Sequence, residues 1–202
     1  MIRLLVATHN RGKATEYTRM MTGLAVEAIT LDEAGITGEV EELGATFEEN
    51  ARIKALAYAR QSGLLTLADD SGLEVDALGG APGVQSARYA GLGASDADRY
   101  RLLLRKLEGV PADRRSARFH CVIALASPQG NVYVAHGTVE GVIADTPRGS
   151  HGFGYDPVFY MPERGVTMAE LEPEIKNAIS HRARAFQAIL PILRELIAEQ
   201  AG

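Results

Sequence analysis

Ile2-Arg3-Leu4-Leu5-Val6-Ala7-Thr8-His9-Asn10-Arg11-Gly12-Lys13 is the stretch that decides the class of fold. Ile2 to Ala7 is a short, largely apolar run and reads as a buried strand. Thr8 to Gly12 is a polar loop, and Lys13 to Met21 is made of helix formers. A buried strand that feeds a helix through a polar loop is the opening unit of an α/β protein. Outward from there, Leu24 to Ile29 reads as a second short strand. Asp32 to Glu42 is acidic, carries glycines and has few large apolar residues, so it reads as irregular. Thr46-Phe47-Glu48-Glu49 is a capping box, predicting a helix to about Gln61 that ends at Ser62-Gly63. Leu64 to Ala68 is a further buried strand, which Asp69-Asp70-Ser71-Gly72 is expected to terminate.

The second half continues the alternation. Gly79 to Gly83, with Pro82, is a loop, and Ser95-Asp96-Ala97-Asp98 opens a helix ending near Gly109. Ala117, Phe119, Cys121, Ile123 and Leu125 alternate with Arg118, His120 and their neighbours, the period of two of a strand. Pro128-Gln129-Gly130-Asn131 turns this strand into Val132 to Ala135, and Thr138 to Ala144 is predicted as a third. The last helix is expected to begin at Ser180 as N-cap. Its apolar stripe is Phe186, Ile189, Leu190, Leu193 and Ile197, with Pro191 inside it removing one backbone hydrogen bond. There is no repeat, low-complexity stretch or linker. The reading is an α/β protein with a mixed sheet, one domain over residues 1–202.

Composition narrows the function. The 202 residues are 46% hydrophobic and 23% charged, the balance of a globular protein. Folding at this length buries on the order of 70% of the unfolded surface. Against 26 acidic residues stand 21 basic ones, a net charge of −5. Such a chain is a poor general partner for nucleic acid or an anionic membrane, so a polyanion needs a local cluster of bases or a metal. Cys121 is the single cysteine, which excludes intrachain disulfides and cysteine-built metal sites. No apolar run approaches the roughly 18 residues of a membrane span, and Leu4 to Ala7 is too short for a signal-peptide core. A cytoplasmic protein is expected.

Four places carry candidate chemistry, each with an ordinary alternative. Thr8 to Lys13 places free amides and a dipole end where a phosphate could bind. Gly12-Lys13 nearly completes a Walker-type loop, but Ala14 stands where that loop needs Ser or Thr. A plain polar loop capped by Thr8 or Asn10 fits equally. Glu41, Glu42, Asp69 and Asp70 offer hard oxygen ligands for Mg2+. Of two adjacent carboxylates, one can keep a raised pKa and act as a base; the alternative is a self-capped turn. Gly149 to Tyr155 sets glycines around His151, Phe153 and Tyr155, which suits close approach and stacking on a nucleobase, or else a flexible loop. Lys176 and Ser180-His181-Arg182 place positive charge at a helix start, where the dipole disfavours it, so either an anionic ligand relieves the cost or the turn is simply solvated.

In this order the motifs become specific. Ala7-Thr8-His9-Asn10-Arg11-Gly12-Lys13, Thr46-Phe47-Glu48-Glu49-Asn50-Ala51 with Lys54, and Ala68-Asp69-Asp70-Ser71-Gly72-Leu73 are followed by Gly79-Gly80-Ala81-Pro82-Gly83-Val84 with Ser86-Ala87-Arg88-Tyr89. Gly152-Phe153-Gly154-Tyr155-Asp156-Pro157 and Lys176 with Ser180-His181-Arg182 complete the set. Together they resemble the inosine/xanthosine triphosphate pyrophosphatases, in their bacterial branch, from Ile2 to about Leu193.

The resemblance implies a mixed, strongly twisted central sheet flanked by helices, in two lobes with the active-site cleft between them. It implies Mg2+-dependent hydrolysis of ITP, dITP and XTP to the monophosphate and pyrophosphate, usually by a homodimer. Carried over, Thr8, His9, Asn10, Arg11, Gly12 and Lys13 cradle the triphosphate. Glu41 and Asp70 hold magnesium, and Asp70 accepts the proton of the attacking water, a role Asp69 could share. Lys54 faces the phosphates and Ser71 adds a hydroxyl. Phe153, Gly154, Tyr155 and Asp156 line the base and sugar pocket, which Lys176, His181 and Arg182 complete. A pocket of donors would accept the O6 of hypoxanthine or xanthine and meet the adenine amine with an unpaired donor.

Three other functions compete. They are a pyrophosphatase for other modified or pyrimidine nucleotides, a nucleotide sensor without turnover, and a nicotinamide oxidoreductase. The sensor would need a disrupted carboxylate set, and no Gly-x-Gly-x-x-Gly follows the first strand.

Overall fold

Leu4, Leu5 and Val6 are withdrawn from solvent, as a continuous apolar run inside a parallel sheet requires. They form β1 (Ile2–Val6). The structure is a computed structural model and describes residues 1–201. β2 (Val26–Thr30) lies parallel to β1, from Ile2 opposite Val26 to Val6 opposite Thr30. β3 (Leu65–Val75) is parallel on its other side, from Leu4 opposite Leu65 to Val6 opposite Leu67. The crossovers contain α1 (Arg11–Met20) and α2 (Phe47–Ser62). β4 (Ser116–Ala126), β5 (Val132–Ile143), β6 (Phe159–Met161) and β7 (Val166–Thr167) complete a seven-stranded sheet in the order β2-β1-β3-β4-β5-β6-β7. The β5–β6 and β6–β7 pairs are antiparallel, so the sheet is mixed and the fold α/β. The remaining helices are α3 (Asp96–Lys106), α4 (Pro173–Ile179) and α5 (His181–Ala201).

The chain divides into two compact units. The first comprises Met1–Asp70, Cys121–Gly137 and the chain from Arg182 onward. Its core joins Leu4 and Val6 to Tyr17 of α1, Leu65 and Leu67 of β3, Cys121, Ile123 and Leu125 of β4, and Phe186, Ile189 and Leu193 of α5. The second comprises Ser71–His120 and Thr138–His181. Its core sets Leu73, Val75, Leu103, Phe119, Val139 and Phe159 together, with the Phe119 and Phe159 rings 4.4 Å apart.

Several sequence expectations need correction. Asp69-Asp70-Ser71-Gly72 does not end β3, which continues to Val75. Past Leu67, where its pairing with β1 ends, β3 keeps β4 as its neighbour in the sheet, where an interrupted ladder would strand buried peptide groups, and this outweighs turn composition. The predicted strands at Val132 and Thr138 are one strand, β5, which runs unbroken through Gly137 as a neighbour of β4. α1 starts at Arg11 because Asn10 caps it, and the second strand begins at Val26, not Leu24. α3 stops at Lys106, and a turn carries the chain on to Gly109. α5 begins at His181, directly after Ser180 as expected, and Ser180 also closes α4, a helix of seven residues too short to leave a periodic signal. Pro191 does lie inside α5.

The capping box forms as read. Thr46 Oγ1 accepts from the Glu49 amide at 3.1 Å, and Glu49 Oε2 accepts from the Thr46 amide at 3.2 Å. Gly63 closes α2 in the left-handed region at φ 69°. Thr46→Ala should therefore lower stability by about 1 kcal/mol, with α2 otherwise intact. Urea unfolding measures this, and an unchanged midpoint would remove the cap from the account of α2.

Candidate active site

In the first unit, β1 delivers the chain into a loop that organises itself. Thr8 Oγ1 accepts from the Asn10 amide at 3.1 Å, and Asn10 Oδ1 accepts from the Lys13 amide at 3.0 Å. The first turn of α1 holds Arg11 and Lys13 and no acidic residue. That leaves a helix start whose charge and dipole both favour an anion. His9 and Arg11 are exposed, and Gly12 is half-buried.

Lys13 turns back to β3, its Nζ donating to Asp69 Oδ2 at 2.8 Å. Arg182, at the head of α5, is 1% exposed, donates from Nη1 to Glu16 at 2.7 Å and sets Nη2 3.6 Å from Asp69 Oδ2. Successive residues of a strand point to opposite faces, so Asp70 meets a different environment. Asn50 Nδ2 donates to Asp70 Oδ2 at 3.0 Å, and Lys54 Nζ stands 3.9 Å from Oδ1. The same Lys54 Nζ donates to Glu42 Oε1 at 2.7 Å.

These environments push the adjacent carboxylates apart. Burial alone would raise both. At Asp69 the charges of Lys13, Arg182 and Lys54 outweigh burial and hold the pKa well below the usual carboxylate range. At Asp70 burial prevails over Lys54, Lys13 and the Asn50 hydrogen bond, with Glu42 adding to it, and the pKa rises. Lys54 stays charged, because Asp70, Asp69 and Glu42 overcome the downward pull of its own burial. A pair split in this way has one member charged at neutral pH and one fitted to exchange a proton.

The second unit contains the aromatic loop. Asp156 and Lys176 are buried, with Lys176 Nζ donating to Asp156 Oδ2 at 2.6 Å. The same oxygen accepts from the Phe153 amide at 2.9 Å, and Lys176 Nζ lies 4.6 Å from the Phe153 ring centre. Gly152 sits at φ +77°, and a Cβ there would come within 2.1 Å of Asp156 Oδ2, so only glycine lets the loop close on this pair. The Gly154 amide donates to Asp96 Oδ2 at 2.7 Å, and the Tyr155 hydroxyl to the Ser86 carbonyl at 2.9 Å. The His181 ring stacks on Phe119 with centres 4.6 Å apart. Ser71 is half-buried.

Of the residues expected from sequence, Lys13, Lys54, Asp69, Asp70 and Arg182 meet in the first unit, and Phe153, Gly154, Asp156 and Lys176 in the second. Tyr155 is buried, its hydroxyl turned to Ser86. Glu41 is exposed, and Glu42 is the neighbour that meets Lys54. Sequence reasoning missed Glu16, Asn50 and Asp96. Two of these had a signal. Glu16 follows Lys13 by three residues and Asn50 precedes Lys54 by four, the spacings that share a helix face.

The donor set suits a hard cation. Asp70 with Glu42 or Glu41 supplies oxygen ligands alone, and Mg2+ characteristically takes one or two carboxylates with water and substrate phosphate. No cluster of three or more histidine, cysteine or acidic side chains suited to a metal occurs among the described residues.

Fold and site define an α/β protein with a carboxylate pair midway along an interior strand and basic side chains closing on it. The chain belongs to the Ham1 family, whose model matches residues 4–192. Relatives called dITP/XTP pyrophosphatase include one from Geobacter sulfurreducens, 54% identical over 92% of this chain and 93% of its own. Another, from Listeria monocytogenes, is 49% identical over 98% and 97%. Among solved structures, a HAM1 protein from Coxiella burnetii superposes with a TM-score of 0.87 at 46% identity, over 96% of this chain and all of its own.

The depressed pKa of Asp69 has a consequence for stability. Its contribution is present above the unfolded carboxylate value of about 4 and is lost only as pH falls through the lower folded value. Lys13→Met removes the charge that does most to hold Asp69 ionised. It should destabilise by about 3 kcal/mol at pH 7, with a deficit that holds down to about pH 4 and narrows between about pH 4 and about pH 2 as Asp69 of the variant takes up a proton. Urea unfolding across that range tests it; a deficit independent of pH would assign the loss to packing.

Proposed function

We propose that the protein is a nucleoside-triphosphate pyrophosphatase. Its substrates are the non-standard purine nucleotides ITP, dITP and XTP, hydrolysed to the monophosphate and pyrophosphate. The observation that carries this reading is the split carboxylate pair: Asp69 locked as an anion by Lys13 and Arg182, Asp70 with a raised pKa beside Lys54. The relatives' activity, as their name states it, is the one this pair suits.

Thr8 to Lys13 receive the triphosphate at the start of α1, with Lys13 and Lys54 countering charge on the leaving pyrophosphate. Asp70 accepts the proton of the attacking water, for which a raised pKa is an advantage. Asp70 with Glu41 or Glu42 would hold Mg2+, which when bound would polarise the water and the phosphate oxygens. Ser71 adds a hydroxyl to the same end of the substrate. Phe153 offers a ring to the base, and its loop is held by the Asp156–Lys176 pair. His181 and Arg182 supply donors to O6, which an adenine amine could not satisfy. Asp69 serves as the fixed anion that orients Lys13 and Arg182. The functional protein is a cytoplasmic homodimer, with residues 1–202 forming one pyrophosphatase domain.

Pyrophosphate release from ITP, XTP, dITP, ATP, GTP and dTTP, with Mg2+ and with EDTA, tests the reading. Release should be metal-dependent and confined to the inosine and xanthosine nucleotides. Equal rates on all, or activity on dTTP alone, would overturn the account of base recognition. Asp70→Asn should keep the fold and lose about 10²- to 10⁴-fold in turnover, whereas near-normal turnover would remove Asp70 as the base.

A further inference from the structure

Between Gly38 and Gly44 the acidic segment forms neither helix nor strand, yet it is held at regular intervals by one helix. Asn50, Lys54 and Tyr58 follow one another at four-residue spacing and so share a face of α2. Asn50 Oδ1 accepts from the Gly44 amide at 2.8 Å, and Lys54 Nζ donates to Glu42 at 2.7 Å. The Tyr58 hydroxyl donates to the Gly38 carbonyl at 3.1 Å and accepts from the Val40 amide at 3.3 Å. The anchored positions, 38, 40, 42 and 44, recur at every second residue, the period of an extended chain. Gly44 permits the closest approach, since a Cβ there would lie 2.6 Å from Glu49 Cβ.

Tyr58 does more than its two neighbours in the stripe. Its hydroxyl also lies 3.3 Å from His9 Nε2, and the His9 ring meets the Tyr58 ring edge-on. His9 Nε2 is itself 3.4 Å from the Gly38 carbonyl. A phenol has one proton and two lone pairs. With Nε2 of His9 protonated, Gly38, Val40 and His9 use all three.

We propose that Tyr58 is a positioning residue: its hydroxyl fixes the acidic segment that carries Glu41 and Glu42 against the loop that begins α1, and so sets the site's affinity for a divalent cation. This rests on the pyrophosphatase reading for its place in the reaction, but the test does not.

Tyr58→Phe keeps the ring and removes only the hydroxyl. Hydrogen exchange at the Val40 amide, followed in protein free of metal and nucleotide, should accelerate about tenfold or more. The Mn2+ concentration for half-saturation, read from the spin-resonance signal of free Mn2+ with the metal alone, should rise about tenfold. The Mg2+ requirement for ITP hydrolysis should rise in parallel, with the maximal rate at saturating metal largely retained. Faster exchange with unchanged Mn2+ affinity would make Tyr58 merely structural and overturn the proposal, as would exchange at Val40 equal to the wild type. Failure of the wild type to release pyrophosphate would instead sink the pyrophosphatase reading, with the exchange and Mn2+ comparisons still deciding the role of Tyr58.

Discussion

A carboxylate buried inside a sheet must be compensated, and much of the first unit is arranged around that need. Asp69 is almost wholly withdrawn from solvent on β3. Desolvating an unpaired ion costs several kcal/mol even after relaxation, so its position is tenable only with opposite charge brought close. Lys13 comes from α1, Arg182 from α5, and Cys121 Sγ of β4 lies 3.9 Å away. Arg182, itself buried, draws in Glu16 as a second carboxylate. One acidic residue thus couples four elements far apart in the chain, and their basic groups gather beside the start of α1.

The second unit answers a similar constraint on a smaller scale. Asp156 and Lys176 are buried as a pair, and the spare capacity of Asp156 Oδ2 goes to the Phe153 amide. The pair therefore fixes a backbone as well as neutralising itself. Gly152 is there because any side chain would strike Asp156, and Asp96 of α3 holds the next turn through the Gly154 amide. An aromatic ring on an otherwise glycine-rich loop is thereby given a defined place.

Much of this was legible in the sequence wherever a local rule acts alone. The Thr46–Glu49 capping box, the Gly63 stop, the alternation along β4 and the stripe of Phe186, Ile189 and Leu193 depend on neighbours within a few residues. They form as read. The errors fall where sheet neighbours overrule local composition. Four consecutive turn formers stay in strand because β3 continues past the end of β1 with β4 as its neighbour, and Gly137 likewise fails to divide β5, which adjoins β4. α4, β6 and β7 are too short to leave a periodic signal.

The candidate site shows the same boundary. Sequence alone determined which residue types are available: a polar loop with Lys13 at a helix start, adjacent Asp69 and Asp70, a glycine-aromatic loop, and a His-Arg pair late in the chain. It determined the α/β class as well, because strand and helix periods are local. Only the tertiary structure decided that Asp69 is the locked anion and Asp70 the carboxyl with the raised pKa. Only it showed that Glu42 rather than Glu41 meets Lys54, and that Arg182 is braced by Glu16. The physical reason is that a pKa or an ion pair is a property of what surrounds a group. Those surroundings are assembled from residues as much as 166 positions apart, which no local pattern records.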